Sequence, residues 1–571
     1  MIDQQRLVHR LTGARARAER AAQQRLLNAF LRETGHTAVP RGPLRLPLPA
    51  SGAVLLGTVA RRSVFGHHVY GPEFRVQDEA PGSPAVPLDH DGLVRLLLAE
   101  LDARAGDGGG SARCAELSAQ IENSVARTSR YLAHRRPPTP PPTDPAALIR
   151  HAEQSLLFGH PFHPTPKSAE GFDEDDLARY APELGASFPL CFVAVAPELL
   201  VERRVAPGPW VPPEVANAAR RALGPDRHDR ALLPVHPWQA GYLMRQEPVE
   251  ELVAQGLLIS LGPLGAEVYP TSSVRTVCAP AFPTAWKLPL HVRITNFVRT
   301  NPMDHVRRAA DASLLLGALR PGWAHPGFDV LLETGYRTVN HPELADDLAV
   351  LYREHPFARR GEAPRVVAGL LEERPDAEPD LVQEVRRASR CPSGPVPAEH
   401  VAEWLRRYLR ISLLPLLALF RTDGVSLEAH VQNSLVCLDD GWPVRFFVRD
   451  MEGISVSRQT LAGGPEPELL PADSPVLYPE SEAWMRLKYY LLTNHIGHLV
   501  HVLARAGGAD EERLWRVLRE VLRSGVADCW TEDLLESPAL PAKANLTSRF
   551  TGRGERPLYV QVPNPICEVS P

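Results

Sequence analysis

The chain has 571 residues, 44% of them hydrophobic and 23% charged, which is enough apolar material for a large core and excludes a mainly disordered polymer. Its length suggests roughly two to four structural units. Lys+Arg 63 against Asp+Glu 68 gives a net charge of −5, which excludes a dedicated nucleic-acid binder while allowing a local cationic pocket. The 57 prolines predict many rigid loops and short elements. Only four of the basic residues are lysines, at 167, 287, 488 and 543. The other 59 are arginines, so a surviving lysine draws attention, because ammonium and guanidinium differ at tight sites. The seven cysteines are widely spaced with no CxxC and are read as unpaired thiols of a reducing compartment. The N-terminus lacks an apolar signal-peptide core. The longest apolar run, Ile411–Phe420, is too short for a bilayer and is broken by Pro415. A cytoplasmic protein with no membrane or nucleic-acid partner is expected.

In chain order, residues 1–35 read as a helix, 43–78 as short strands punctuated by Gly and Pro, and Asp91–Arg104 as a helix. GDGGGSAR at 106–113 is a turn between helices. The Pro-rich HRRPPTPPPTDP at 134–145 is the clearest linker. Helices are predicted at Ala146–Phe158 and Pro213–Leu223, and strands at Phe192–Ala196, Leu257–Ser260 and Leu290–Ile294. A softer boundary lies near Arg390–Pro397. Beyond it come one helix over Ala398–Phe420, a turn at Gly424, and strands Ser426–Leu438 and Val444–Asp450 joined at LDDGWP. Two helices follow, Ser481–Ala506 and Asp510–Ser524. The expected domains are therefore 1–145, 146–395 and 396–571, of a mixed α/β (α+β) class.

Four segments concentrate polar chemistry. GHPFHPTPK (159–167) holds two His-Pro pairs, His160 and His163, ahead of Lys167, and can present imidazoles and an ammonium to an anion. PTSSVRTV (270–277), Lys287 and HVRITNFVRT (291–300) gather Ser272, Ser273, Arg275, Thr276 and Arg299. Those hydroxyls and cations suit phosphate oxygens, although no P-loop or GxGxxG is present. In SLEAHVQNSLV (426–436), strand alternation places Glu428 and His430 on one face and Asn433 on the other unless a bulge re-aims it. Asp450 and Glu452 end the apolar strand of FFVRDMEGI (446–454). Glu428, Asn433, Asp450 and Glu452 make an all-oxygen set suited to Mg²⁺. His495, His498 and His501 are read as partly exposed members of an amphipathic helix rather than metal ligands.

Taken together, GHPFHPTPK, LPVHPWQ, PTSSVRT, KLPLHVRITN, EAHVQN, VRDMEG, KANLTSRF and VPNPI closely resemble the siderophore synthetases of the IucA/IucC type, which work independently of nonribosomal peptide synthetases. The motifs occur in the family's order over roughly 70% of the chain. The resemblance implies a three-part cupped hand of thumb, fingers and palm around a deep cleft, and a homodimer. It implies a ligase that adenylates a carboxylic acid with ATP and Mg²⁺ and passes the acyl group to an amine or hydroxyl. Citrate is the favoured acid; 2-oxoglutarate and citrate or succinyl derivatives stay open. It further implies ATP contacts at Ser273, Arg275, Thr276, Lys287, Arg299 and His430, and magnesium ligands at Glu428, Asn433 and Asp450 beside Glu452. Acid contacts are implied at His160, His163, Thr295, Arg299 and Lys543, next to Lys167. Lys287, Arg299 and His430 are the expected catalytic groups, acting by position and charge without a covalent enzyme intermediate. Three alternatives remain: a silent binder of the same fold, a kinase-like phosphotransferase, and a relative of ferric-siderophore reductases. The last is opposed by the lack of a cysteine cluster near 529–567.

Overall fold

The structure is a computed structural model describing residues 2–36, 39–80, 82–106, 110–134, 142–295, 297–357, 362–373, 377–391, 394–464, 468–553 and 556–569, with side chains described for all of these except 2–11 and 506. Most of the Pro-rich linker, the centre of the 106–113 turn and part of the 390–397 boundary lie outside the described residues.

The N-terminal helix Ile2–Glu33 leads into a five-stranded sheet that begins with the antiparallel pair Gly42–Leu48 and Ala53–Arg61. Helices His90–Ala105 and Gly110–His134 follow. Leu26, Phe30, Leu55, Leu97 and Ile121 bury together there, and Leu546 and Phe550 from the far end of the chain complete the same core.

An eight-stranded antiparallel sheet forms the middle of the molecule. Its spatial order is Leu200–Arg204, Glu333–Val339, Val350–Arg353, Ala285–Lys287, Thr276–Cys278, Leu258–Pro270, Phe188–Val195 and Ala231–Val235. Inward rings of Phe192, Trp286 and Tyr352 fill one face. A separate four-stranded sheet orders Phe328–Leu331, Trp442–Arg449, Ser434–Asp439 and Arg365–Val366, with its first pair parallel. Leu315, Leu370, Trp404, Leu499 and Trp515 belong to one core, so the segments 312–332 and 366–371 pack with the C-terminal helices. Among the described residues no helix is long and apolar enough to cross a membrane.

Several predicted elements change where side chains compete for the backbone. The helix expected over Ala146–Phe158 ends at Glu153. The Ser155 hydroxyl donates to the His151 carbonyl, and the Glu372 carboxylate accepts the N–H groups of Leu157 and Phe158. The single helix expected over Ala398–Phe420 is two, Ala398–Ile411 and Leu413–Asp423, broken at Ser412. Pro415 has no N–H to return to Ile411, and the Ser412 hydroxyl donates to the Tyr408 carbonyl at 2.7 Å. The C-terminal helix from Glu480 widens to a π-helix over Lys488–Ile496 before continuing to Gly507.

Two of the three spaced histidines, His495 and His501, are buried rather than partly exposed, which corrects the amphipathic reading for those two, while His498 is partly exposed at the cleft. His495 bonds the Ala429 carbonyl and the Tyr408 hydroxyl, and His498 and His501 stack against His67. Burial holds His495 and His498 neutral, pushed down to about 4.

Candidate active site

The large cleft, about 460 Å³, opens where the eight-stranded and four-stranded sheets end. The turn Thr271–Thr276 joins two strands of the larger sheet. The Thr276 carbonyl accepts the Thr271 N–H at 2.8 Å, and the Ser273 hydroxyl accepts the Thr276 N–H at 3.1 Å. Register then sets Thr276 directly opposite Lys287. Val274 and Thr295, both β-branched, and Asp450 hold positive φ of 68°, 57° and 71°. L-residues resist that region, and here the three strained positions all line the cleft.

Five of the chain's six His-Pro pairs share one local device. In His160, His163, His236, His341 and His355 the imidazole Nδ1 accepts the N–H of the residue after the proline, at 3.0–3.3 Å. The proline has no N–H and keeps the histidine extended, so the ring closes a turn over it. A neutral ring whose Nδ1 accepts must carry its proton on Nε2. His160 is held neutral by burial and meets the Asn494 amide through Nε2 at 3.0 Å. His430 follows the same rule without a proline. Its Nδ1 accepts the N–H groups of Gln432 and Asn433, and burial pushes it down to about 4. This turn replaces the predicted strand over 427–433, and the Asn433 amide donates to the Glu428 carbonyl at 3.3 Å. Parity along a strand therefore does not separate Asn433 from Glu428.

The cations fall into two kinds. Lys287 is nearly buried, and its Nζ lies 2.7 Å from Asp450 and 2.6 Å from Glu452. Arg353 joins Asp450 at 3.2 Å and Glu333 at 2.8 Å, and His305 joins Glu452 at 2.9 Å. These cations hold both Asp450 and Glu452 below the usual carboxylate range despite burial. Arg275 spends its guanidinium on the carbonyls of Arg299 and Thr300 and on the Asn301 side chain, and so braces the strand that carries Arg299. Arg299 donates to the Thr295 hydroxyl at 2.7 Å and has no carboxylate within ion-pair reach among the described residues. Burial, with Arg275 beside it, pushes it down to about 10.

Glu428 is raised by burial and lies so close to Gly453 that a Cβ there would fall 1.6 Å from its Oε2. Among the described residues no three His, Cys, Asp or Glu side chains close around a metal position, and the cation between Asp450 and Glu452 is the Lys287 ammonium. Asn433, Glu428, Asp450 and Glu452 nevertheless share the cleft.

Two of the predicted anion-binding lysines are set apart. Lys167 lines the cleft with its ammonium on Glu183, 2.6 Å away. Lys543 occupies an adjoining recess with Arg32, His67, His160 and Asn494, and donates to the Tyr490 hydroxyl at 2.9 Å. Sequence reading passed over Glu153, Glu333, Arg353, Gln432, Arg449 and Asn494. Gln432 and Arg449 stand inside EAHVQN and VRDMEG without a role read for them; the other four are ordinary residues in strands or helices, and the clustering of His495, His498 and His501 near Asn494 hinted at that segment.

Residues 148–372 match the model of the IucA / IucC family, and residues 402–558 match that of the ferric iron reductase FhuF-like transporter. The second span holds two cysteines, Cys437 and Cys529, too few for a four-cysteine iron–sulfur cluster. Over 96% of both chains, this protein is 37% identical to an L-2,3-diaminopropanoate–citrate ligase of Staphylococcus aureus. It is 29% identical to a spermidine-citrate ligase of Bacillus anthracis, over 96% of this chain and 98% of that one. The ATP-bound aerobactin synthetase IucA of Klebsiella pneumoniae superposes with a TM-score of 0.82 at 27% identity, covering 96% of this chain and 99% of the other. The motif order read from the sequence, the mixed α/β fold and near-full-length similarity agree: this chain belongs to the IucA/IucC family of siderophore synthetases.

Proposed function

We propose that the chain is an ATP-dependent ligase that adenylates citrate and joins it to an amine in siderophore biosynthesis, releasing AMP and pyrophosphate. The observation that carries this reading is Arg299, a largely buried guanidinium without a carboxylate partner among the described residues, facing the cleft beside the Ser273–Thr276 turn. A cation held there without a counter-ion favours a bound anion. Similarity to two citrate ligases supports citrate as the acid and an amine as its acceptor.

Activation needs two anions brought together. A citrate carboxylate oxygen attacks the α-phosphorus of ATP and pyrophosphate leaves. The amine nitrogen then attacks the acyl carbon, AMP leaves, and the amine loses a proton. Ser273, Arg275 and Thr276 form or brace the wall for the phosphates, while Arg299 and Lys287 supply positive charge where the anions meet. His160, His163 and Thr295 line the part of the cleft assigned to citrate, with Lys543 in the recess behind. His430, with Nδ1 occupied and Nε2 protonated, serves as a hydrogen-bond donor rather than a base. Asp450, Glu452, Glu428 and Asn433 fit Mg²⁺ in donor chemistry and charge, and the Lys287 ammonium already holds a positive charge between two of them. When bound, Mg²⁺ would neutralise phosphate charge.

The thumb, fingers and palm division at 1–145, 146–395 and 396–571 and assembly as a homodimer belong to the same proposal. The three-part division is supported by the cleft lining, which runs from Tyr131 through Arg299 to His498. Purified protein with ATP, Mg²⁺, a panel of carboxylic acids and hydroxylamine as surrogate amine tests the reading. AMP and pyrophosphate should form with citrate. ADP as product overturns adenylation in favour of phosphotransfer, and no nucleotide turnover with any polycarboxylate leaves a silent binder. Diaminopropanoate and spermidine then replace hydroxylamine to identify the acceptor.

A further inference from the structure

We propose that the buried Glu153–Arg449 pair is a positioning clamp that sets the distance between the 271–276 turn and the carboxylates that follow residue 449. The inference rests on the reading of that turn as the nucleotide wall and of Asp450 and Glu452 as the metal-side carboxylates.

Glu153 is the last residue of the helix Pro145–Glu153 and is 2% exposed. Both of its oxygens are used. Oε1 accepts from Arg449 Nη1, and Oε2 accepts from Arg449 Nη2 at 3.1 Å, the Ser272 N–H at 3.1 Å and the Ser272 hydroxyl at 3.0 Å. Arg449 is 7% exposed and ends the strand that delivers Asp450. Its Nη2 also donates to the Gln432 carbonyl at 2.9 Å, and its own N–H donates to the Asn433 carbonyl at 2.9 Å. The Gln432 side-chain amide closes the ring by donating to the Ser272 carbonyl at 3.0 Å.

One ion pair thus ties together segments that are remote in sequence: the turn at 272, the turn at 432–433 and the residue before Asp450. A guanidinium fork on a carboxylate fixes angle as well as distance, which a single hydrogen bond does not. The anchoring helix cannot slide. Gly369 packs so tightly on it that a Cβ would lie 2.3 Å from the Ala152 carbonyl oxygen. Glu153 does not line the cleft, and Arg449 spends its guanidinium on Glu153 and the Gln432 carbonyl, so the pair acts through Ser272, Gln432 and Asp450.

A second buried carboxylate provides the contrast. Glu372, 6% exposed, accepts the N–H groups of Leu157 and Phe158 at 3.0 and 2.6 Å, just ahead of His160. It braces the loop assigned to citrate through those two N–H groups. The two carboxylates should therefore separate kinetically.

The test compares Glu153→Gln, Glu153→Asp and Glu372→Gln with wild type in the full-length enzyme. Steady-state KM is measured for ATP and for citrate, and the Kd of a fluorescent ATP analogue is measured without acid. Glu153→Gln should raise KM for ATP and the analogue Kd by at least about tenfold, with KM for citrate within about threefold of wild type. Glu153→Asp, which keeps the charge on a shorter stem, should fall between. Glu372→Gln should raise KM for citrate and spare the analogue Kd. Equal effects of Glu153→Gln on both substrates, or an unchanged Kd with only less folded protein, would overturn the clamp. If Glu153→Gln does not fold, Glu153→Asp and Arg449→Lys carry the same comparison, and unchanged analogue Kd in both overturns it. Wild type that yields no AMP with any acid refutes the ligase reading alone, because the analogue titration still tests the clamp.

Discussion

Lys287 holds two carboxylates at once in a nearly closed space, and this gives the scarcity of lysine a structural meaning at that position. A guanidinium is planar and wider, and would crowd Asp450, Glu452 and any anion approaching them. Lys287→Arg should keep ATP binding within a few fold and lower kcat by about 10²-fold, the scale of losing one transition-state donor. Lys488 lies outside the cleft, on Asp533 at 2.8 Å, so Lys488→Arg should be nearly neutral. Steady-state pyrophosphate release compares them, and equal rates would leave Lys287 a generic charge. Asp450→Ala and Glu428→Ala should both abolish Mg²⁺-dependent turnover, but they should differ in stability. Asp450 is ion-paired to Lys287 and Arg353, so its loss should cost on the order of 2 kcal/mol in urea unfolding. The cost is not larger because Lys287 keeps Glu452 and Arg353 keeps Glu333. Glu428, whose charged form burial disfavours, should be lost at no stability cost. Near-wild-type kcat at saturating Mg²⁺ in either variant would remove that residue from the ligand set.

Between elements, the joint between the two ends of the chain is sensitive to pH. Glu33, the last residue of the N-terminal helix, accepts the N–H groups of Leu546 and Thr547 at the start of the helix Asn545–Phe550. Two N–H donors favour its charged form, but burial outweighs them and pushes the carboxyl up to about 7. Its folded pKa lies above its unfolded one. The stabilisation it provides is therefore full below the ordinary value of 4.5 and is lost as pH rises through about 7. Glu33→Gln stays neutral throughout. Relative to wild type it should gain about 2 kcal/mol between about pH 5 and pH 8, read from urea midpoints at both pH values. A pH-independent difference would show that Glu33 is ionised in both states. The π-helix Lys488–Ile496 is the second joint of this kind: it carries Asn494 to His160 and His495 to Tyr408 from one segment.

The whole molecule is bound end to end. Leu546 and Phe550 complete the N-terminal core, and Phe65 from the N-terminal region sits in the C-terminal one. Arg32 lies over the Phe162 ring beside the His160 loop, with its guanidinium pushed down to about 9 by burial. A chain stopped after Pro538 would lose Lys543, Leu546 and Phe550 together and leave the N-terminal core open to water. It should lack a cooperative thermal transition by near-UV circular dichroism. A truncated chain melting in one sharp step would show that the N-terminal unit is self-sufficient.

The sequence by itself determined the helix Pro213–Leu223, the strand Leu290–Ile294, the Gly424 turn and the helix that ends at Ser524, because periodicity and turn residues act over a few neighbours. Its motifs also pointed to the family, since Ser273, Arg275, Lys287, Arg299, His430 and Asp450 each stand in a legible local pattern. Tertiary structure alone decided the rest. Ser412 broke a helix by bonding a carbonyl one turn back, and Glu372 ended another from more than two hundred residues away. Whether a cation is spent or available cannot be read from a motif. Lys167 is neutralised by Glu183 and Lys287 by Asp450 and Glu452, while Arg299 meets the Thr295 hydroxyl and the Phe297 ring and has no carboxylate within ion-pair reach among the described residues. Glu153 has no motif of its own, and its meaning comes from Arg449, a partner 296 positions away. Local pattern specifies which groups are present, and long-range electrostatic pairing in a buried cleft specifies which of them remain to bind a substrate.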